Sequence, residues 1–355
     1  MTIPISEPVQ PSFQPPVSVV IPIYNGEEDL PELLECLRSQ TYPAHLTEYL
    51  LVDNGSRDRT LALLQANPQV CALSETQIQS SYAARNTGIR AAKGSIIAFT
   101  DADCRPHSAW LTELVQPFSH PAVGIVAGEI LALPGHTLLE RYADRHETLS
   151  QKHTLAHPFG SYGQTANLAV RQQIFAKVGL FRPYLTTGGD ADLCWRILQP
   201  ENYQNTYQNT HQNSYNSPLN SRQHSPLNHH HDHPWQLQFA AGAIVRHRHR
   251  SSLAELCSQW QRYGRSNRYL HELHGIGLTK EMSRKDYLYR WSRWLLKEVP
   301  IAAKNKLVQP HVPNFIDVLL DTPINLICGQ ARAQGQRQAR LAAAARAIAT
   351  LENDG

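Results

Sequence analysis

Two patterns of apolar positions alternate along the first hundred residues. Short apolar runs, β-branched in the first and the last, fall within residues 17–26, 49–52, 70–73 and 94–103, and they are typical of buried strands. Between them, apolar residues recur at helical spacing, as at Leu30, Leu33, Leu34 and Leu37, and a second helix is predicted from about Thr60. Strands that alternate with helices predict a parallel sheet with right-handed crossovers. The chain therefore has the pattern of an α/β protein.

Polar residues follow three of these strands, at Tyr24, Asp53 and Asp101. In open α/β sheets, ligands bind beyond the carboxyl ends of the strands, so these residues would border one crevice. Asp101 and Asp103 are spaced i, i+2, which points both side chains to one side of an extended segment. Two adjacent carboxylates repel unless a cation joins them, and oxygen ligands favour Mg²⁺ or Mn²⁺. The alternative is a surface turn, where Asp is common.

Composition narrows the function classes. The chain has 355 residues and a net charge of +3, too small to predict a nucleic-acid partner. Its six cysteines have neither paired nor metal-ligand spacing, and with no secretory leader they predict a cytoplasmic protein with reduced thiols. The longest apolar candidate, residues 315–328, is interrupted by Asp317, Asp321 and Pro323, so no membrane span is predicted.

Composition also predicts the domain boundaries. Residues 1–16 form a polar, proline-containing segment that we expect to be a disordered tail. An α/β domain is predicted at 17–255 and a helical C-terminal region at 256–355. Between residues 200 and 234 the pattern is replaced by polar four-residue repeats and a histidine tract. Such low complexity lacks the apolar content needed to fold, which predicts a disordered insertion.

Several short motifs occur in a specific order. They are Ile21-Pro22-Ile23-Tyr24-Asn25, Val52-Asp53-Asn54-Gly55-Ser56, Ala84-Arg85-Asn86, Asp101-Ala102-Asp103, Gly163-Gln164-Thr165-Ala166-Asn167 and Gly189-Asp190-Ala191-Asp192-Leu193. Over residues 17–270 this succession resembles the family 2 glycosyltransferases. The resemblance implies an inverting enzyme with a Rossmann-like, nucleotide-diphospho-sugar transferase fold of the glycosyltransferase A type, followed here by a C-terminal helical extension.

The resemblance implies a donor site and a metal site. The donor residues would be Pro22, Tyr24, Asn25, Asp53, Arg85 and Asp101. Among them, Tyr24 would lie against the nucleobase, Asp53 would accept a hydrogen bond from it, and Arg85 would reach the nucleotide. Asp103 and His247 would hold the Mg²⁺ or Mn²⁺ ion that bridges the diphosphate. The alternative for His247 is a solvated or phosphate-facing residue, because it lies among the arginines at 246, 248 and 250, which would give a positive rim.

The resemblance also implies a catalytic base at Asp190. Inversion needs a carboxylate that takes the proton of the acceptor hydroxyl. The family's segment usually reads Glu-Asp-x-Asp-Leu, and here Gly189 replaces the glutamate. The alternative is that Asp190 only caps the helix that follows.

Four residues are predicted on the acceptor side: Thr165, Asn167, Gln259 and Arg262. For Thr165 and Asn167 the alternative is a polar strand edge. Gln259 and Arg262 belong to a segment similar to one in processive members of the family. Further on, residues 287–297 combine aromatic and basic side chains, which suits an anionic membrane surface. The partners expected are a nucleotide-diphospho-sugar donor, a glycan or lipid-linked acceptor, and that membrane, at its cytoplasmic face.

The function predicted is a metal-dependent, non-processive inverting glycosyltransferase of polysaccharide or cell-envelope glycan synthesis, with a UDP-linked donor expected. The alternative is a catalytically impaired sugar-nucleotide-binding or scaffold protein, which the glycine at 189 favours. A nucleotidyltransferase is disfavoured because no glycine-rich loop follows the first strand. A dinucleotide oxidoreductase is disfavoured because Gly-x-Gly-x-x-Gly is missing there.

Overall fold

The computed structural model describes residues 13–199, 235–308 and 315–352. The predicted insertion at 200–234 and most of the predicted tail at 1–16 lie outside the described residues. The strands are β1 (Val17–Ile23), β2 (Thr47–Asp53), β3 (Cys71–Ser74), β4 (Ile96–Phe99), β5 (Cys104–Pro106), β6 (Val123–Ala132), β7 (Leu168–Arg171) and β8 (Gln236–His247).

Helices connect the strands and form the C-terminal part. They are α1 (Leu30–Arg38), α2 (Thr60–Gln65), α3 (Ser81–Ala91), α4 (Trp110–Val115), α5 (Leu138–Arg145), α6 (Gln151–Leu155), α7 (Gln172–Val178), α8 (Gly189–Leu198), α9 (Leu253–His274), α10 (Arg284–Arg293), α11 (Val299–Val308) and α12 (Phe315–Gln338). Short 3₁₀ turns occupy Ala44–Leu46, Gln116–Ser119, Thr165–Asn167 and Ala343–Arg346, and a π-helical turn, Trp294–Glu298, follows α10.

The strands form one eight-stranded sheet in the order β3-β2-β1-β4-β7-β6-β8-β5. The first four strands of that order are parallel, as the alternation predicts. Beyond β4 the sheet is mixed, because β7 runs antiparallel to both β4 and β6. The register pairs Ile23 with Asp53 and Val20 with Phe99. The carboxyl ends of β1, β2 and β4 therefore meet at one edge of the sheet.

Both faces of the sheet are covered by helices. Alternate residues of β1, such as Val19 and Ile21, pack with the leucines of α1 and with Trp110 of α4. The intervening Val20 packs on the opposite face, where Tyr82 of α3 lies in the same cluster. A strand buried on both faces is a continuous apolar run rather than an alternating one, which explains the sequence of β1.

The C-terminal helices dock firmly on this domain. Helices α9 and α12 cross where Gly264 meets the backbone carbonyl of Arg332 and Gly335 meets that of Gln261. A Cβ at either glycine would collide with backbone, so the close approach requires glycine at both positions. Asp317 of α12 also receives two hydrogen bonds from Arg141 of α5. Within the described ranges, every helix is too short or too polar to cross a bilayer.

Candidate functional site

A crevice of about 560 Å³ lies at the carboxyl edge of the parallel strands. We call it the main crevice. It is lined by every residue predicted for the site except Asp53 and Asn167, namely Pro22, Tyr24, Asn25, Arg85, Asp101, Asp103, Thr165, Asp190, His247, Gln259 and Arg262. Strand ends and helix ends far apart in sequence thus come together around one space.

Asp53, predicted on the donor side, lies apart from this lining. It ends β2 at the expected edge, but it is only 3 % exposed. Its carboxylate turns back on its own loop and accepts hydrogen bonds from the backbone N–H groups of Gly55 and Ser56, each at 3.3 Å. This side chain stabilises the turn after β2, and it does not border the main crevice.

Asn167, predicted on the acceptor side, also lies apart from this lining. The predicted acceptor segment is a 3₁₀ turn that precedes β7. Asn167 is fully buried there: its Oδ1 accepts from Trp110 Nε1 at 2.8 Å, and its Nδ2 donates to the carbonyls of Glu129 and Ala243 at 2.8 and 2.7 Å. These hydrogen bonds tie α4, β6 and β8 together.

Asp103 and His247 form the candidate metal centre. Strand β5 pairs with β8 so that Cys104 lies opposite His247, which brings Asp103 Oδ1 to 3.3 Å from His247 Nε2. His247 Nδ1 lies 2.6 Å from the carbonyl of Arg248. A carbonyl only accepts, so Nδ1 donates to it, and Nε2 is the ring nitrogen that faces Asp103. A carboxylate oxygen and an imidazole nitrogen directed at one space are a donor set that fits a divalent cation.

The Cys104 thiol lies in the same cluster, with ligand atoms within 4.8 Å of one another. Burial raises the pKa of this thiol well above its usual range, so it is neutral. A neutral sulfur suits hard cations such as Mg²⁺ poorly. Of this cluster, the carboxylate and the imidazole therefore fit the predicted ion, and a bound diphosphate would supply further oxygens.

Asp101 and Asp103 do not act as an extended i, i+2 pair, which corrects the strand argument. Strand β4 ends at Phe99, and the chain turns at residues 101–103. Asp101 Oδ1 instead accepts from Nη2 of the buried Arg85 at 2.5 Å. Arg105, which sequence reasoning missed, anchors the far side of the turn through Asp29 and Glu32 of the α1 region.

Asp190 lies in the first turn of α8 and faces the main crevice. Its carboxylate accepts two hydrogen bonds from Thr165, one from the backbone N–H at 3.2 Å and one from the hydroxyl at 3.1 Å. Burial raises the pKa of Asp190, and the nearby Arg85 charge opposes that rise. The capping alternative is not supported, since the N-cap of α8 is Gly188 and has no side-chain bond.

Tyr82 accounts for the glycine at position 189. Its hydroxyl accepts a hydrogen bond from the Gly189 N–H at 2.9 Å, and a Cβ on Gly189 would lie 2.7 Å from the ring carbon Cζ. The ring is buried and stacks on Phe181 with 5.4 Å between centroids. It fills the space where a glutamate side chain would begin. The sequence does contain a sign of this placement. Tyr82 lies three residues before Arg85 on α3, so both side chains lie on the same face of that helix.

Asp192 locks α8 in this orientation. It is fully buried and bonds Nε of Arg182, Nε of Arg196 and Nε2 of His274 at 3.0, 3.0 and 2.9 Å. Burial alone would raise the pKa of this carboxyl, but Arg196, His274 and Arg182 together hold it well below its usual range. Asp192 is thus a structural carboxylate, whereas Asp190 is free to meet a ligand.

Of the three arginines predicted to give a positive rim, at 246, 248 and 250, only Arg250 lines the main crevice. Arg250 and Arg262 line the main crevice, and Arg250 Nη2 lies 3.8 Å from Asp103 Oδ2. Arg248 is not part of the lining, but it pairs at 3.1 Å with Asp29, which is. On α9, Gln259 donates to the hydroxyl of Tyr263 at 3.0 Å, and both residues line the crevice beside Arg262.

Several curated glycosyltransferases are similar in sequence to this chain. The glycosyltransferase AglE of Haloferax volcanii is 41% identical over 185 residues, which cover 50% of this chain and 60% of that protein. The pre-mycofactocin glycosyltransferase of Mycobacterium tuberculosis is 31% identical over 190 residues, 52% of this chain and 39% of that protein. An undecaprenyl-phosphate 4-deoxy-4-formamido-L-arabinose transferase of Pseudomonas aeruginosa is 32% identical over 154 residues, 41% and 44% of the two chains. The chain thus spans roughly half the length of these relatives.

A solved structure shares the fold over most of the chain. The mannosyltransferase PcManGT of Pyrobaculum calidifontis, in complex with GDP-Man and Mn²⁺, matches with a TM-score of 0.53 and 17% identity, over 91% of this chain and 88% of that one. The sheet order and the crevice at its edge define a nucleotide-sugar transferase fold of the glycosyltransferase A type. Residues 18–185 match the family model "Glycosyl transferase family 2". This part of the chain, residues 18–185, is therefore a family 2 glycosyltransferase domain.

Proposed function

We propose that this protein is a divalent-metal-dependent inverting glycosyltransferase, non-processive, which moves a sugar from a nucleotide diphosphate, expected to be UDP, to a glycan or lipid-linked acceptor. The observation that carries the proposal is the shared crevice, which holds both the Asp103–His247 pair and the separate carboxylate of Asp190. The name of the Pseudomonas aeruginosa relative, which contains undecaprenyl phosphate, supports a lipid-linked acceptor, and we place that acceptor in polysaccharide or cell-envelope glycan synthesis.

The donor would lie along the carboxyl edge of the sheet. Tyr24 is 48 % exposed at the end of β1 and offers a ring face to a nucleobase. Arg85, Arg250 and Arg262 place positive charge around the space for a diphosphate. A Mg²⁺ or Mn²⁺ ion held by Asp103 and His247 would offset the charge that develops on the leaving nucleoside diphosphate.

Asp190 would act as the base. The acceptor oxygen forms a bond to the anomeric carbon while the bond from that carbon to the diphosphate breaks, with its electron pair leaving on the nucleoside diphosphate. The hydroxyl proton goes to Asp190. Because burial raises the pKa of Asp190, its carboxylate is a stronger base than an exposed aspartate. Activity requires the deprotonated form, so the rate falls as pH decreases.

The test is a screen of nucleotide-sugar binding by thermal unfolding, with and without Mn²⁺ or Mg²⁺. We expect UDP and one UDP-sugar to raise the melting temperature when metal is present, and little change without it. Transfer to water or to an added acceptor then separates an enzyme from a binding protein. No stabilisation by any nucleoside diphosphate, with either metal, would contradict the proposal.

We also propose that the protein docks on an anionic membrane at the cytoplasmic face. Leu288, Leu295 and Leu296, on and just after α10, are 68 %, 58 % and 75 % exposed. The same segment carries Arg290, Arg293 and Lys297. The aromatic residues contribute less than the sequence predicts, because Tyr287 and Trp294 bond to α12. An apolar strip beside basic side chains favours anionic lipid headgroups.

A further inference from the structure

A second cavity, also of about 560 Å³, adjoins the main crevice. We call it the side cavity. It lies between α5, α6, α9 and α12, and it shares Tyr82, Gln164, Thr187, Asp190 and Tyr263 with the main crevice. Its size is typical of a small-molecule site. Because Asp190 borders both spaces, a molecule in the side cavity can present a hydroxyl to the same carboxylate that faces the donor.

The charge of the side cavity is unusual. Among the described residues that line it, Asp190 is the one carboxylate and Arg332 the one guanidinium. Within the described part of the chain, the Arg332 side chain makes no ion pair or hydrogen bond, and its Nε is buried without a partner. The Nε1 of Trp260, on the same wall, is also buried and unpartnered.

These donors are held in place by the helix crossing. The backbone carbonyl of Arg332 is the atom against which Gly264 of α9 packs. Burial lowers the pKa of Arg332, yet a guanidinium stays protonated in proteins. A fixed cation that is partly desolvated and has no counter-charge is costly, and an anionic ligand would remove that cost.

Resting on the proposed function, we propose that the side cavity is the acceptor site and that Arg332, with Trp260, binds a phosphoryl group of the acceptor. A guanidinium fork matches phosphate oxygens, and three histidines, at 146, 153 and 157, lie on the same lining. Leu270 and Ile276 provide apolar walls, so the phosphorylated acceptor carries an apolar or sugar moiety beside them.

A smaller cavity of about 170 Å³ extends from the Arg332 end of the side cavity. It shares Trp260, Asn325 and Arg332 with the side cavity and continues to Met282, just before α10. Met282 is 39 % exposed. A chain attached to the phosphoryl group would therefore have room to leave toward the exposed leucines of α10.

The test is calorimetric binding of two phosphorylated probes to the full chain. Farnesyl phosphate represents a lipid phosphate, glucose 6-phosphate represents a soluble one, and farnesol is the uncharged control. The variants are Arg332→Met, Arg332→Lys, and Arg340→Met, which makes the same charge change at an exposed arginine outside both cavities. Loss of a charged hydrogen-bond partner predicts about 10- to 100-fold weaker binding to Arg332→Met.

We expect at least one phosphorylated probe to bind the wild-type chain and Arg340→Met equally, to weaken in Arg332→Met, and to be partly restored in Arg332→Lys. Preference for farnesyl phosphate assigns a lipid phosphate, and preference for glucose 6-phosphate assigns a soluble one. Equal binding to Arg332→Met and wild type, or no binding of either probe, overturns the proposal. UDP binding with Mn²⁺ is measured in parallel. If the wild-type chain does not bind UDP, the result counts against the proposed function instead.

Discussion

Thr165→Val tests how the base is positioned. Valine keeps the shape of threonine but removes the hydroxyl that donates to Asp190 Oδ1 at 3.1 Å, while the backbone N–H bond at 3.2 Å remains. Because Thr165 is only 3 % exposed, water cannot readily replace the lost donor. The hydrogen bond stabilises the charged carboxylate, so its removal raises the pKa of Asp190 further.

The magnitude follows from that single bond. A hydrogen bond to a charged group contributes about 1.5–3 kcal/mol, and about 1.4 kcal/mol corresponds to one pH unit. The remaining N–H and the Arg85 charge compensate in part, so we expect the acid limb of the rate profile to move up by about one pH unit. At neutral pH, Thr165→Val should therefore transfer sugar more slowly than the wild type. At pH values above its shifted acid limb, the two rates should be equal.

The assay is sugar transfer measured across pH for the wild type, Thr165→Val and Thr165→Ser. Serine keeps the hydroxyl and loses only a methyl group, so its acid limb should coincide with that of the wild type. A rate loss in Thr165→Val that is the same at every pH would mean that Thr165 contacts the acceptor instead of tuning Asp190. An unchanged profile would refute the positioning role altogether.

Three further changes test other parts of the site. Asp103→Asn should abolish the Mn²⁺-dependent part of UDP stabilisation in thermal unfolding while the metal-free melting temperature stays unchanged. Gly189→Ala should lower the free energy of unfolding by about 1–3 kcal/mol through overpacking against Tyr82, and Tyr82→Leu in the same chain should recover part of it. The double change of Leu295 and Leu296 to Ser should reduce co-sedimentation with anionic vesicles, which salt also weakens.

Matched controls lie outside both cavities. Asp144→Asn removes an exposed carboxylate of α5, and Leu131→Ser removes an apolar side chain of β6 that is 40 % exposed. Equal metal-dependent stabilisation of Asp103→Asn and Asp144→Asn would contradict the metal assignment. An unaltered unfolding curve for Gly189→Ala would show that Tyr82 moves aside. Equal sedimentation with neutral and anionic vesicles would contradict an electrostatic membrane contact.

The strand ends and their meeting edge were predictable, because periodicity and parallel topology determine them. Hydrophobic pattern could not tell which polar residues turn inward. Asp53 and Asn167 belong to motifs whose other residues border the main crevice. Asp53 instead accepts hydrogen bonds from backbone N–H groups, and Asn167 accepts one from the buried Trp110. Whether a polar side chain faces the crevice or the interior depends on local hydrogen-bond geometry, which the order of polar and apolar residues does not determine.

The parts that were missed depend on long-range packing. The Tyr82–Gly189 contact joins residues 107 positions apart and gives the missing glutamate a steric explanation. The side cavity needs α5 and α12 on the same side of α9, a placement set by the Gly264 and Gly335 crossing. Residue type alone does not separate Asp192 from Asp190, two positions away, but the three buried partners of Asp192 give it a structural role.

The central claim is that Asp190 is the base of a sugar transfer. Asp190→Asn keeps the size of the side chain and one acceptor for Thr165, so stability and UDP binding with Mn²⁺ should remain at the wild-type level. Transfer by the wild type should invert the anomeric configuration of the donor sugar, as read by NMR, and Asp190→Asn should reduce its rate by about 10²–10⁴-fold. Asp144→Asn should transfer normally. Transfer by Asp190→Asn at the rate of Asp144→Asn, with donor binding intact in both, would contradict the account.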